Sequence, residues 1–192
     1  MIKTNPNIEL TRTIQTTGSC RGISFWQNTF IVTIGYDDRR GVAILDIDGQ
    51  VLKAIFNDLK GRPLFKRPHY VSVGGLKPTL YVSDRKLNTL TKLDLSLRVL
   101  QTLTLGAIEH PYAMFQHDDK HLLVCSAGRD NVVMLNTETE QVRDLLGPDA
   151  TIHEPICACY SHELGKLYMT CWGQDEESGS CNAVIVFDVK LI

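Results

Sequence analysis

Pro68, Pro111 and Pro155 stand 43 and 44 residues apart, and each opens a block with the same order of apolar runs and turn residues. The blocks read "PHYVSVGGLKPTLYVSDRKLNTLTKLDLSLRVLQTL", "PYAMFQHDDKHLLVCSAGRDNVVMLNTETEQVRDLL" and "PICACYSHELGKLYMTCWGQDEESGSCNAVIVFDVK". A fourth copy starts near Cys20, 48 residues before Pro68, and its extra length falls in "NDLKGRPLFKR". A repeat of this period constrains the fold more than any other feature, because each unit must bury its apolar face against the next.

Each copy divides into the same pieces. A short apolar strand comes first (Ile23–Trp26, Tyr70–Val73, Tyr112–Phe115, Ile156–Tyr160), then a turn, then a second strand (Phe30–Ile34, Leu80–Ser83, His121–Cys125, Leu167–Cys171). A polar loop leads to a third (Val42–Asp46, Leu90–Asp94, Val132–Asn136, Ala183–Asp188). The turns "DIDGQ", "DLSLR" and "NTETEQ" lead to a fourth (Val51–Ile55, Val99–Leu103, Val142–Leu146). Short β-rich runs broken by turn signals read as antiparallel meanders, and no stretch keeps a helical period. Four strands per unit of this length predict an all-β chain of four-stranded β-propeller blades. The units span about residues 20–66, 67–110, 111–154 and 155–192 of a single domain. The last unit stops after its third strand. A strand over residues 8–16, "IELTRTIQT", is expected to complete it, or equally to be the fourth strand of a preceding blade.

Composition narrows the function classes. The net charge of −2 carries no basic excess of the kind that binds phosphate backbones. No apolar run is long enough for a membrane span, the first residues lack the apolar region of a signal peptide, and no Asn-x-Ser/Thr sequon occurs. These features favour a cytoplasmic protein without membrane association. The six cysteines, at 20, 125, 157, 159, 171 and 181, include no C-x-x-C pair. Reduced, structural thiols are expected. Cys157 and Cys159 share one strand face, and Cys171 and Cys181 flank one loop across which a disulfide is the minor alternative.

Pro followed by a short strand, then "LYVSD" and "S-x-G-x-x-N-x-V" stretches, an apolar strand and a turn, resembles NHL repeats. The best copies are Tyr81–Leu93 and Val124–Leu135, and the closing block resembles the C-terminal end of the NHL propellers of tripartite-motif proteins. The resemblance covers about residues 8–192. Asp84 keeps the repeat's Asp, whereas Ala127 is read at that place in the next copy and Trp172-Gly173 in the last. NHL propellers usually have six blades, so four units imply part of a six-bladed ring, with a closed four-bladed ring as second choice. A partial ring would leave apolar blade faces open at both ends and favour self-association. The resemblance implies a non-enzymatic protein-recognition module, the substrate-selecting part of a ubiquitin ligase. No RING, B-box or coiled coil lies in these residues, so ligase chemistry does not reside in them.

In such a meander the loops from fourth to first strand and from second to third share one face. That face is expected to gather Arg67 and His69, Glu109 and His110, His153 and Glu154, and the loops Tyr36–Gly41, Asp84–Asn88, Ala127–Asn131 and Trp172–Ser180. Its candidate binding residues are Arg39, Arg40, Arg67, His69, Arg85, Lys86, His110, Arg129, His153 and Trp172. A protein or peptide partner is the favoured reading. Tyr36, Tyr70, Tyr112 and Trp172 supply aromatic surface, although Tyr70 and Tyr112 equally suit packing between blades. Single-stranded RNA is the second reading, opposed by the acids Asp37, Asp38, Asp84, Glu109, Asp130 and Asp175–Glu177 on the same face. A metal-dependent lyase or lactonase is the third, resting on His69, His110 and His153 as a weak metal set whose registers differ. No G-x-S-x-G, H-E-x-x-H, P-loop or G-x-G-x-x-G occurs, so neither a catalytic residue nor a cofactor is assigned. The acidic loop 172–181 reads as a solvated hairpin tip, with attraction of a basic segment as its functional alternative.

Overall fold

The computed structural model describes residues 13–16, 18–35, 39–74, 77–147, 152–172 and 184–188. Blade 1 comprises β1 (Cys20–Trp26), β2 (Thr29–Ile34), β3 (Gly41–Asp46) and β4 (Val51–Ile55). Blade 2 comprises β5 (Pro68–Gly74), β6 (Thr79–Asp84), β7 (Thr89–Leu93) and β8 (Val99–Leu103). Blade 3 comprises β9 (Pro111–Gln116), β10 (His121–Ser126), β11 (Asn131–Asn136) and β12 (Val142–Leu146), with a 3-10 turn over Ala127–Arg129. Blade 4 contributes β13 (Pro155–Ser161), β14 (Lys166–Cys171) and β15 (Val184–Asp188). Every sheet is an antiparallel meander in chain order, as the repeat predicts. No helix among the described residues is long and apolar enough to cross a membrane.

Turn chemistry sets the strand ends. Gln27 and Asn28 both take positive φ (44° and 60°) between β1 and β2, the combination whose twist matches a two-residue hairpin. The turn from third to fourth strand repeats one device. Asp46 Oδ1 accepts from the backbone N–H groups of Asp48 and Gln50, Asp94 Oδ1 from Ser96 and Arg98, and Asn136 Oδ1 from Glu138 and Thr139. Gly49 meets the positive φ of the first turn without strain, whereas Leu97 takes φ 63° in the second. Leu97 is 4% exposed within the apolar layer between blades 1 and 2, and that burial offsets the backbone cost.

The core lies in the seams between blades. Ile31, Val42 and Ile44 of blade 1 meet Val71, Leu80, Val82 and Leu93 of blade 2. Tyr81 and Leu90 of blade 2 meet Met114, Leu122, Val124, Val133 and Leu135 of blade 3. Leu123, Cys125, Val132 and Met134 of blade 3 meet Ala158, Leu167 and Met169 of blade 4. A hydroxyl stitches two of these seams: Thr33 Oγ1 accepts from Gly22 N–H and donates to His69 O, and Ser83 Oγ accepts from Tyr70 N–H and donates to Tyr112 O.

The cross-strand pairs Cys20–Ile34, Pro68–Asp84, Pro111–Ser126 and Pro155–Cys171 fix equivalent positions, each followed by a register shift in the first strand. Ser126, not Ala127, therefore stands where blade 2 has Asp84. The one-residue slip matters because it moves a side chain to the other face. At the N-terminus, residues 13–16 form no strand, and Ile14 packs on the outward face of blade 1 against Val32, Ile34, Ala43 and Leu45. The expected completion of blade 4 by a strand over 8–16 is thus not made by its described part; residues 8–12 lie outside the described residues. β1 packs on β5, β5 on β9 and β9 on β13, but β13 and β1 do not pack in this way. Among the described residues no apolar cluster joins blades 4 and 1, and the four blades follow one another as an arc.

Candidate functional site: a basic cluster at the mouth of the arc

Backbone anchoring defines the loop face. The Asp84 carboxylate is fully buried and accepts from the N–H groups of Lys66, Arg67, Lys86 and Leu87 at 2.7–3.1 Å. These bonds offset the cost of burying a charge, and Arg85 N–H adds a bond to Arg67 O at 3.1 Å. In blade 3, Ser126 Oγ accepts from Glu109 N–H and donates to Glu109 O. In blade 4, the Cys171 sulfur accepts from His153 N–H. Each loop also reaches the next blade: Asn88 Oδ1 accepts from His110 N–H at 2.9 Å, and Asp130 Oδ1 from Glu154 N–H at 2.7 Å. His110 (φ 47°) and Glu154 (φ 41°) both take the left-handed conformation directly before a proline, and these bonds hold them there.

On this frame a basic cluster forms where the first strands begin. Arg21, His69 and Tyr112 occupy the same position in blades 1, 2 and 3, one residue after Cys20, Pro68 and Pro111. The His69 ring meets Tyr112 edge-on at 4.4 Å, and the Arg85 guanidinium lies 4.8 Å from the centre of the Tyr112 ring. Burial first, then the charges of Arg21, Arg85 and Arg67, push His69 down to about 4. The imidazole is therefore neutral near pH 7, and its Nδ1 is buried without a hydrogen-bond partner among the described residues. Burial and the neighbouring charges of Arg67 and Arg85 also lower Arg21. Three guanidiniums around a neutral imidazole and a phenol ring make an anion-attracting floor.

The remaining sequence-derived candidates disperse. Lys86 and Arg129 are exposed on neighbouring loops. Arg39 and Arg40 line a separate cleft with Phe56, Asn57 and Pro63. His110 is exposed, and His153 lies 3.7 Å from Asp130. His69, His110 and His153 do not converge, and no group of three His, Cys, Asp or Glu among the described residues could hold a metal ion. Their sequence registers differ, and the fold preserves that difference. Tyr70 and Tyr112 pack in the layer between blades 3 and 4, and Trp172 is 52% exposed. Tyr36, Asp37, Asp38, residues 173–180 and Cys181 lie outside the described residues; Cys171 is a free thiol. Arg21 was missed because the first strand is read from Ile23. Alignment of "CRG" with "PHY" would have placed it beside His69.

Blade order, seams and the loop face define a β-propeller chain. No protein-family profile and no curated protein matches it. Among solved structures it is similar to a streptogramin B lyase, with TM-score 0.64, 14% identity, and coverage of 93% of this chain and 57% of that one. It is also similar to a catalytically inactive virginiamycin B lyase from Staphylococcus aureus with quinupristin (TM-score 0.64, 13% identity, 92% and 58% coverage). A third is the computationally designed Ika4 protein (TM-score 0.61, 12% identity, 93% and 96% coverage). The chain spans little over half the length of the two lyases. Likeness at these identities shows the propeller fold.

Proposed function

We propose that this chain is a non-enzymatic, cytoplasmic recognition module that holds an acidic segment of a partner protein against the mouth of the arc. The observation that carries this reading is the convergence of Arg21, Arg67 and Arg85 on His69 and Tyr112. A peptide carboxylate gains charge-assisted hydrogen bonds from guanidiniums. The resemblance to the NHL propellers of tripartite-motif proteins supports the finer reading, selection of a substrate for ubiquitination.

Fluorescence anisotropy with an Asp/Glu-rich decapeptide tests it. Arg67→Glu and Arg85→Glu should each weaken binding about tenfold or more, and an isosteric Asn/Gln peptide should not bind. His69 supplies a pH signature. An anion beside it favours its charged form, so binding takes up a proton and tightens as pH falls toward about 4. In the free protein the sign reverses. The folded value lies below that of the unfolded chain, so His69 adds stability above pH 6.5 that is lost as pH falls toward about 4. A peptide affinity indifferent to the arginine variants would overturn the reading. Tighter, steeply salt-dependent binding of an oligouridylate by the wild-type protein would favour the RNA alternative.

A further inference from the structure

The seam between blades 3 and 4 is tied differently at its two ends. The Thr33 and Ser83 hydroxyls stitch the first two seams, but Cys125 holds that position in blade 3, and a thiol is a weak donor. At the mouth, Asp130 Oδ1 accepts from Glu154 N–H, and His153 Nδ1 lies 3.7 Å from Asp130 Oδ2. At the opposite end three rings meet across the seam. His117, in the turn after β9, meets Tyr160 of β13 edge-on at 4.7 Å. His162, just after β13, stacks on His117 at 5.2 Å with 17° between the ring planes, and Tyr160 meets it edge-on at 4.9 Å.

His117 is 7% exposed, and its Nδ1 is buried without a hydrogen-bond partner among the described residues. The carboxylate of its own turn is already engaged: Asp118 accepts from the N–H groups of Lys120 and His121 and faces His121 Nδ1 at 2.8 Å. The charges that bear on His117 are those of Asp118 and His121 from its own turn and His162 from blade 4, with the Tyr160 ring packed against it. Lys120 pairs with Glu138 at 3.1 Å, and Lys166 with Asp188 at 2.6 Å. Two positive imidazoles stacked at 5.2 Å repel, and the buried one also loses hydration. Burial first holds His117 below its ordinary value; Asp118 opposes this, and His162 and His121 add to it. When that end of blade 4 lifts, His117 regains water and the rings part, so both bind protons more readily. The His153–Asp130 pair at the mouth responds in the opposite sense, strengthening as His153 gains charge, but it is exposed and contributes little.

We propose that the stacked pair His117–His162 makes this seam an acid-released hinge: as the pair takes up protons, blade 4 parts from blade 3 at the end away from the mouth and stays attached through the Glu154–Asp130 bond. His117 binds a proton less readily in the closed seam than in the parted one. Closure is therefore strongest above pH 6.5 and weakens as pH falls below it.

Hydrogen exchange of the full chain, read by mass spectrometry and corrected for the intrinsic effect of pH, tests this. Between pH 7 and pH 5 the opening of β13 and β14 should rise about tenfold, within the limit of about thirtyfold that one site can reach between pH 6.5 and 5. The rise should exceed that of β2 and β3 in blade 1. His117→Phe keeps a ring in the seam and removes the titrating group, and it should abolish the excess. His162→Gln should reduce the excess to about threefold or less. His69→Gln, which removes the buried imidazole at the mouth, should leave it in place. The exposed position of His162 keeps the test decisive where His117→Phe does not fold. A rise shared equally by all four blades overturns the proposal, as does an excess undiminished in either His117→Phe or His162→Gln.

Discussion

Blades 2 and 3 anchor the same connection with different chemistry. In blade 2, Asp84 gathers four backbone N–H groups from both chain segments that meet at the mouth. In blade 3, Ser126 in the equivalent position makes two bonds, both to Glu109. Backbone pairing between the segments persists in both, from Arg85 N–H to Arg67 O and from Gly128 N–H to Glu109 O. The geometry therefore belongs to the meander, and the side chain sets how firmly the loop is held. The stronger anchor sits beneath Arg67 and Arg85, where like charges must be kept together.

Substitutions sharpen that difference. Asp84→Ala deprives four part-buried N–H groups of their charged acceptor and should lower unfolding free energy by about 2–3 kcal/mol in urea titrations. Ser126→Ala removes one neutral donor and acceptor and should cost about 1 kcal/mol. Cys171→Ala, which removes the weak sulfur acceptor for His153 N–H in blade 4, should cost least, about 0.5 kcal/mol beyond the small loss of packing. If Asp84→Ala and Ser126→Ala cost the same, the side chain does not set the strength of the anchor.

Much of the architecture is legible in the sequence because turn chemistry recurs. Asp46, Asp94 and Asn136 announce the last turn of their blades, and the strands fall within a few residues of their expected bounds. The details lost are those a bulge controls. The register shift between Cys20 and Ile23 hides the start of β1, and with it Arg21. The shift between Val124 and Ser126 accompanies the misplacement of the Asp84 equivalent onto Ala127. Of the basic cluster, Arg67, His69 and Arg85 were legible as loop-face residues. Their convergence depends on the seam, which sets blades side by side and leaves no mark in either blade's own pattern. The dispersal of His110 and His153 follows from their offset before Pro111 and Pro155.

Because each apolar layer is shared by adjacent blades only, damage at one seam weakens its two walls and leaves a blade beyond them untouched. In a lone arc, blades 2 and 3 are held on both sides while blades 1 and 4 are held on one. Unravelling would then run inward from the termini, and Leu80, Val82, Leu122 and Val124, in the middle strands of the inner blades, would be the last to meet solvent.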